Sequence, residues 1–214
     1  MLLLAGGTGL IGRELSRLLL AQSPAPTLHQ LVRRKPADAD TAARWHVVDF
    51  DALPKLPAAQ VACCCLGTTI KQAGSQAAFR AVDFDAVLAF ANAARAAGVK
   101  HFAVVSALGA NPSSTVFYNR VKGEMELAVG RVGFDSVVIA RPSLLIGDRA
   151  ALGQPLRSGE RIAEWLSVPL GALIPKGLRP IKAQTVALGM WRALQQQRPG
   201  VWVVESAELQ DLGR

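Results

Sequence analysis

The run "LLLAGGTGLIGREL" at residues 2–15 constrains the fold more than any other stretch of this chain. Four apolar residues, Leu2 to Ala5, run into a cluster of glycines. The glycines run into a helical pattern that keeps Leu10, Ile11, Leu15, Leu18 and Leu19 on one side. Gly6, Gly9 and Gly12 form G-x-x-G-x-x-G between a strand and a helix. Such a turn lets backbone pass close to a pyrophosphate. The helix that follows offers free N–H groups and the positive end of its dipole. Gly6, Thr8, Gly9, Leu10, Ile11 and Gly12 are therefore the first candidate cofactor-binding residues.

The same alternation continues along the chain. Strands are expected at 28–32, 45–50, 61–67, 101–107, 135–141 and 201–206. One long helix is expected over 76–97, stopped by Gly98, and others over 116–129 and 183–196. "VACCCLG" (61–67) is apolar throughout, as a strand buried on both faces should be. Strands alternating with helices predict an α/β fold, a parallel sheet with right-handed crossovers and helices on both faces. In such a sheet ligands bind outside the carboxyl ends of the strands, so the chemistry should fall just after strands. The 214 residues read as one domain, with half of them hydrophobic. The segment 147–180, rich in Gly and Pro, reads as a substrate-side or lid region.

Composition narrows the partners. The formal net charge is +8, which suits an anionic partner. The basic residues are scattered, apart from "RRK" at 33–35, and there is no aromatic-basic interleaving, which argues against nucleic acid. A phosphate-bearing small molecule accounts for a local Arg pair. Cys63, Cys64 and Cys65 are consecutive, so neither a normal local disulfide nor CxxC metal spacing is available. They read as buried strand filler in a reducing compartment, and no metal is expected. "MLLLAGG" lacks the charged start of a signal peptide, and no apolar run reaches roughly 18 residues. A cytoplasmic protein with no membrane span is the expectation.

Further candidates lie at strand ends. "LVRRKP" closes the second strand, where NAD-preferring sites place an acid on the ribose hydroxyls. Here Arg33 and Arg34 stand instead, and a guanidinium pairs bidentately with a 2′-phosphate. This favours NADPH over NADH, with Arg33 nearer the strand end. Asp49 follows the third strand, where an acid could accept from an adenine amino group. "LGTT" follows the fourth, where Leu66, Gly67 and Thr68 would border a cofactor.

Ser106 ends the fifth strand, and Tyr118 and Lys122 lie four apart on the next helix. Taken alone, a phenol and an ammonium at that spacing also suit a solvated helix face. A phenol ordinarily titrates at about 10. An ammonium roughly 4 Å away, at an effective dielectric of ~20, favours the phenolate by about 4 kcal/mol before desolvation. That brings the phenol into range as a general acid–base, and a serine hydroxyl can hold a carbonyl oxygen beside it.

These motifs resemble the short-chain dehydrogenase/reductase superfamily, whose NAD(P)-binding domain is a Rossmann fold. "LAGGTGLIGREL", "LVRRKP", "CLGTTIKQAG", "VDFDAV", "VVSALGA", "YNRVKGEMEL" and "ARPSLLIGDR" are similar to its atypical branch, that of the Tat-interacting oxidoreductases. The resemblance implies an NADP-dependent oxidoreductase acting on a small carbonyl or alcohol. Tyr118 would be the proton donor and Lys122 would lower its pKa and hold the nicotinamide ribose. Ser106 would orient the carbonyl, and Pro142 and Ser143 would lie beside the nicotinamide. It further implies pairing of the 76–97 and 116–129 helices in a homodimer. One departure stands out: extended members carry asparagine in the long central helix, where this chain has Asp83. Two other functions share these residues. One is a redox-sensing regulator that binds NADP(H) and a protein partner without turnover. The other is a sugar-nucleotide epimerase or dehydratase.

Three other features carry blander readings. His29, His46 and His101 lie near strand starts, where structural roles are expected. Trp165 could line a substrate pocket or simply pack. The Arg-containing stretch "GDRAALGQPLRSGERIAEWL" reads as a solvated helix face or a lid over an anionic ligand.

Overall fold

The computed structural model describes residues 1–146 and 174–214. Its strands are β1 (Leu2–Ala5), β2 (Leu28–Val32), β3 (Arg44–Val47), β4 (Val61–Cys64), β5 (His101–Val105), β6 (Ser136–Arg141), β7 (Leu145–Ile146), β8 (Ile181–Lys182) and β9 (Gly200–Glu205). Its helices are α1 (Leu10–Leu20), α2 (Ile70–Ala73), α3 (Gln76–Arg80), α4 (Ala86–Ala96), α5 (Phe117–Gly130), α6 (Ala183–Gln195) and α7 (Ser206–Leu212). Seven strands form one sheet in the order β3-β2-β1-β4-β5-β6-β9, every neighbouring pair parallel. The fold is Rossmann-like α/β, as the alternating pattern predicts. The order reverses at β1, which pairs with β2 on one side and β4 on the other. That reversal makes the crevice above β1 and β4 the expected ligand site.

Period-two alternation builds two cores, one on each face of the sheet. Leu2, Leu4, Cys63, Val105 and Ala140 face the side covered by Ile11, Leu15 and Leu19 of α1 and Val186 and Met190 of α6. Leu3, Ala5, Cys64, Phe102, Val104 and Ile139 face the side covered by Val87 and Phe90 of α4 and Met125 and Val129 of α5. A fully buried Leu or Phe contributes about 2 kcal/mol from area alone, so both faces are strongly held. Adjacent cysteines of β4 thus belong to opposite cores, as strand filler should. Burial pushes the Cys64 thiol up to about 12, and Cys63 also well above the ordinary thiol range, so neither offers a thiolate. Among the described residues no helix is long and apolar enough to cross a membrane.

The structure departs from the sequence expectations in several places, and the strand expected over 61–67 spans only Val61–Cys64. The helix expected over 76–97 is α3, then a π-helical turn over Ala81–Asp85, then α4. The strand expected over 45–50 spans only Arg44–Val47 and lies at the sheet edge, where side chains are not buried on both faces. α2 was not expected; it starts at Thr69, whose hydroxyl accepts from the Gln72 N–H, and stops at Gly74 with φ 86°. α7 and the small β7–β8 pair were not expected either, being too short for a periodic signal. Trp165 and most of the 147–180 segment lie outside the described residues.

Candidate functional site

The glycine turn sits on the carboxyl end of β1. Gly6 adopts φ 79°, a left-handed conformation that favours glycine, and the Gly9 N–H donates to the Gly6 carbonyl at 3.0 Å. Gly9 then starts α1 with no side-chain cap and no acid in the first turn, so the N–H groups at Leu10 and Ile11 are left to an outside anion. Over this turn opens a cleft of about 750 Å³. Nine sequence candidates line it: Gly6, Thr8, Gly9, Arg33, Arg34, Asp49, Leu66, Gly67 and Thr68. Arg33 and Arg34 are exposed, with no side-chain partner among the described residues. Asp49 accepts from the Asp51 N–H at 3.0 Å, which fixes its carboxylate at the rim. The volume, the uncapped helix start and the two unpaired guanidinium groups all suit an elongated, phosphate-bearing ligand such as a dinucleotide. Sequence reasoning did not single out Gln72, Val82 or Ala86 as lining residues. They reach the cleft because α2 and the π turn fold over it.

The second group of candidates gathers on β5, β6 and α5. Ser106 follows β5 and is almost wholly buried; its N–H donates to the Ala140 carbonyl at 2.7 Å. Its Oγ has no hydrogen-bond partner among the described residues. A buried hydroxyl without a partner is rare and suits a bound polar group. The loop after Ser106 is tied to β6 by the Leu108 N–H donating to the Pro142 carbonyl at 3.0 Å. Ser143 is buried too, but its hydroxyl donates to the Arg179 carbonyl at 2.5 Å and so anchors the chain entering β8.

Tyr118 lies in the first turn of α5, half-buried, its ring tilted against Phe79 with centroids 5.3 Å apart. One turn on, Lys122 is buried. Its Nζ lies 2.7 Å from Asp83 Oδ1 and 3.5 Å from the Val105 carbonyl oxygen. Burial disfavours the ammonium more than any one neighbour favours it. Asp83, Tyr118 and Cys64 together outweigh that and hold the Lys122 pKa above the ordinary lysine value. Asp83 is fully buried, and its Oδ2 accepts from the Thr68 N–H at 2.9 Å. Gly123, unnoticed in the sequence, sets how closely α5 meets the loop after Ser106. A Cβ there would lie 2.3 Å from the Asn111 carbonyl carbon. The signal was visible as a glycine directly after the lysine, but its reason is a tertiary contact.

Residues 6–148 match the family described as NAD(P)H-binding. Protein HTATIP2 of Rattus norvegicus is 38% identical over 165 residues, covering 74% of this chain and 66% of that relative, just under two thirds of its length. The mitochondrial protein FMP52 of Candida albicans is 30% identical over 192 residues, covering 85% of this chain and 82% of the relative. Among solved structures, MoeE5 in complex with UDP-glucose and NAD superposes with a TM-score of 0.71 at 16% identity, covering 95% of this chain and 74% of that one. The dTDP-glucose 4,6-dehydratase DesIV of Streptomyces venezuelae, with NAD and DAU bound, superposes at 0.69 with 19% identity, covering 100% and 79%. At such identities the likeness concerns the fold. The chain belongs to the NAD(P)H-binding family, as a Rossmann-type domain of the HTATIP2 and FMP52 kind.

Proposed function

We propose that this protein is an NADPH-dependent oxidoreductase that interconverts a small carbonyl compound and its alcohol, with Tyr118 as the acid–base. The observation that carries the reading is the buried Lys122 ammonium one helical turn from Tyr118, together with a buried Ser106 hydroxyl just past β5 that has no partner among the described residues. The bound nicotinamide would supply the hydride. Gly6, Gly9 and the first turn of α1 would hold its pyrophosphate, and Arg33 and Arg34 the 2′-phosphate that distinguishes NADPH. Ser106 would donate to the substrate oxygen and fix its direction. As the carbonyl carbon gains a hydride, the oxygen gains the Tyr118 proton, and Lys122 stabilises the phenolate left behind. The Cys64 thiol, without a free thiolate, takes no part.

The test has two arms. Fluorescence titration with NADPH and with NADH should show clearly tighter binding of NADPH, and equal affinities would remove the Arg33–Arg34 argument. A panel of carbonyl compounds should then reveal NADPH oxidation that Tyr118→Phe lowers by about 10²–10⁴-fold with NADPH affinity unchanged. Turnover that survives the substitution would overturn the mechanism.

A redox-sensing regulator is the second reading, and the Asp83–Lys122 pair favours it to one extent: the lysine charge is already balanced in the free protein. It predicts NADPH binding without turnover on any carbonyl, and a protein partner that distinguishes the two redox forms. The cytoplasmic location expected from the sequence competes with the mitochondrial naming of the FMP52 relatives, and cell fractionation separates the two.

A further inference from the structure

Asp83 stands where three parts of the molecule meet. It comes from the π-helical turn Ala81–Asp85, inside an otherwise α-helical run. π turns are rare, occur mostly as single-turn insertions inside α-helices, and are frequent at functional sites. Its two carboxylate oxygens are divided between different elements: Oδ1 faces the Lys122 ammonium on α5 at 2.7 Å, and Oδ2 accepts from the Thr68 N–H of the loop after β4 at 2.9 Å. Both side chains of the pair are almost wholly removed from water, at 0% and 4% exposure.

We propose that Asp83 is a positioning residue of this site: its one buried carboxylate holds Lys122 as an ammonium and ties it to the cleft-lining loop Leu66–Thr69. The role in turnover rests on the function proposed above; the hold on Lys122 does not. Among the described residues the groups facing the ammonium are few. Asp83 approaches from the π turn, the Cys64 thiol from β4, the Val105 carbonyl from β5, and Tyr118 from its own helix. The thiol is protonated across the physiological range. Asp83 is therefore the carboxylate that balances the lysine. A buried amine without a counter-charge gives up its proton readily. A neutral amine could neither stabilise a phenolate on Tyr118 nor donate all of its hydrogens. The ammonium donates to the Val105 carbonyl at 3.5 Å and lies 2.7 Å from Asp83 Oδ1 as an ion pair. The same carboxylate sets the height of Gly67 over the lysine: a Cβ on Gly67 would lie 3.4 Å from Asp83 Oδ1 and 3.8 Å from Lys122 Nζ.

Asp83→Asn keeps the shape, can still accept from the Thr68 N–H, and removes the charge. The readout is the ¹³Cε resonance of Lys122 in lysine-labelled protein, assigned by its absence in Lys122→Met and followed from pH 6 to 12. In the native protein Lys122 should remain an ammonium beyond the usual lysine midpoint of ~10.4. In Asp83→Asn the midpoint should fall by at least about one pH unit. Coincident midpoints would overturn the proposal. If Asp83→Asn does not fold, the native protein still decides: slowly exchanging Lys122 Nζ protons that correlate with the Asp83 ¹³Cγ are required, and their absence overturns it. A parallel pH profile of kcat/KM for NADPH oxidation should show its basic limb moved to lower pH in Asp83→Asn and partly restored in Asp83→Glu. A shifted resonance with no turnover in the native protein would overturn the proposed function while leaving the Asp83 assignment standing. An unshifted resonance would overturn the assignment whatever the turnover.

Discussion

Gly12 packs against Gly6 so closely that a Cβ on Gly12 would lie 2.1 Å from the Gly6 carbonyl oxygen. The obstacle is backbone, and it is the carbonyl that closes the glycine turn by accepting from the Gly9 N–H. No rotamer change relieves it, so a side chain here must push α1 away from β1. Gly12→Ala is expected to lose about 1–3 kcal/mol of stability from overpacking and to weaken NADPH binding at least tenfold. Urea unfolding and a fluorescence titration check both. A variant with native stability and native affinity would show that the turn tolerates α1 displacement.

His29 and His46 predict a pH dependence of stability. His29 Nδ1 and His46 Nε2 lie 2.8 Å apart, and the rings stack with centroids 5.1 Å apart. One nitrogen must donate and the other accept, which two imidazolium rings cannot do. Burial first, then His46, Arg44 and the N-terminal amine, lower the His29 pKa from its ordinary 6.5. In the unfolded chain His29 takes up a proton as the pH falls through that ordinary value, while the folded chain resists it. The unfolded state then binds more protons, so stability rises with pH across the window. The contribution is fully present above about 6.5 and is lost as the pH drops toward the folded value. Chemical denaturation between about pH 5 and 7.5 should show this slope, reduced in His29→Gln. An unchanged slope in the variant would remove His29 as its source.

Arg141 predicts a structural effect at the carboxyl end of β6. Its Nε and Nη2 donate to the two oxygens of Glu126 on α5, at 2.9 and 2.5 Å, and Nη1 donates to Glu205 at 2.9 Å. Glu126 is almost wholly buried, so Arg141→Ala strands a carboxylate inside the protein. The expected loss is about 3 kcal/mol, and Arg141→Ala with Glu126→Leu should recover much of it because no charge is then left uncompensated. Denaturant midpoints of the single and double variants measure this. A double variant no more stable than the single would mean that the packing of Arg141, not its charge, is what matters.

The layered fold and the first half of the site are legible in the residues alone, because those depend on local periodicities. Apolar strands, helices with one apolar side, and a glycine turn joining β1 to α1 are patterns over a few residues. They suffice to put Gly6, Gly9, Arg33, Gly67 and Thr68 at strand ends. Short-range pattern also gave Tyr118 and Lys122 one helical turn apart. What those groups touch depends on contacts between elements far apart in the chain. Asp83 reads in sequence as an acid of the long central helix, standing where extended members carry asparagine; a π turn and the approach of α5 make it the buried counter-charge of Lys122. Glu126 and Glu205 lie 15 and 64 residues from Arg141, and no local pattern links them. The His29–His46 contact depends on the register of β2 against β3, which is fixed by the burial of neighbouring residues and not by the histidines. Local propensity sets where elements begin and end. The balance of buried charge is settled when distant elements shed water together, and it is there that this protein differs from what its motifs predict.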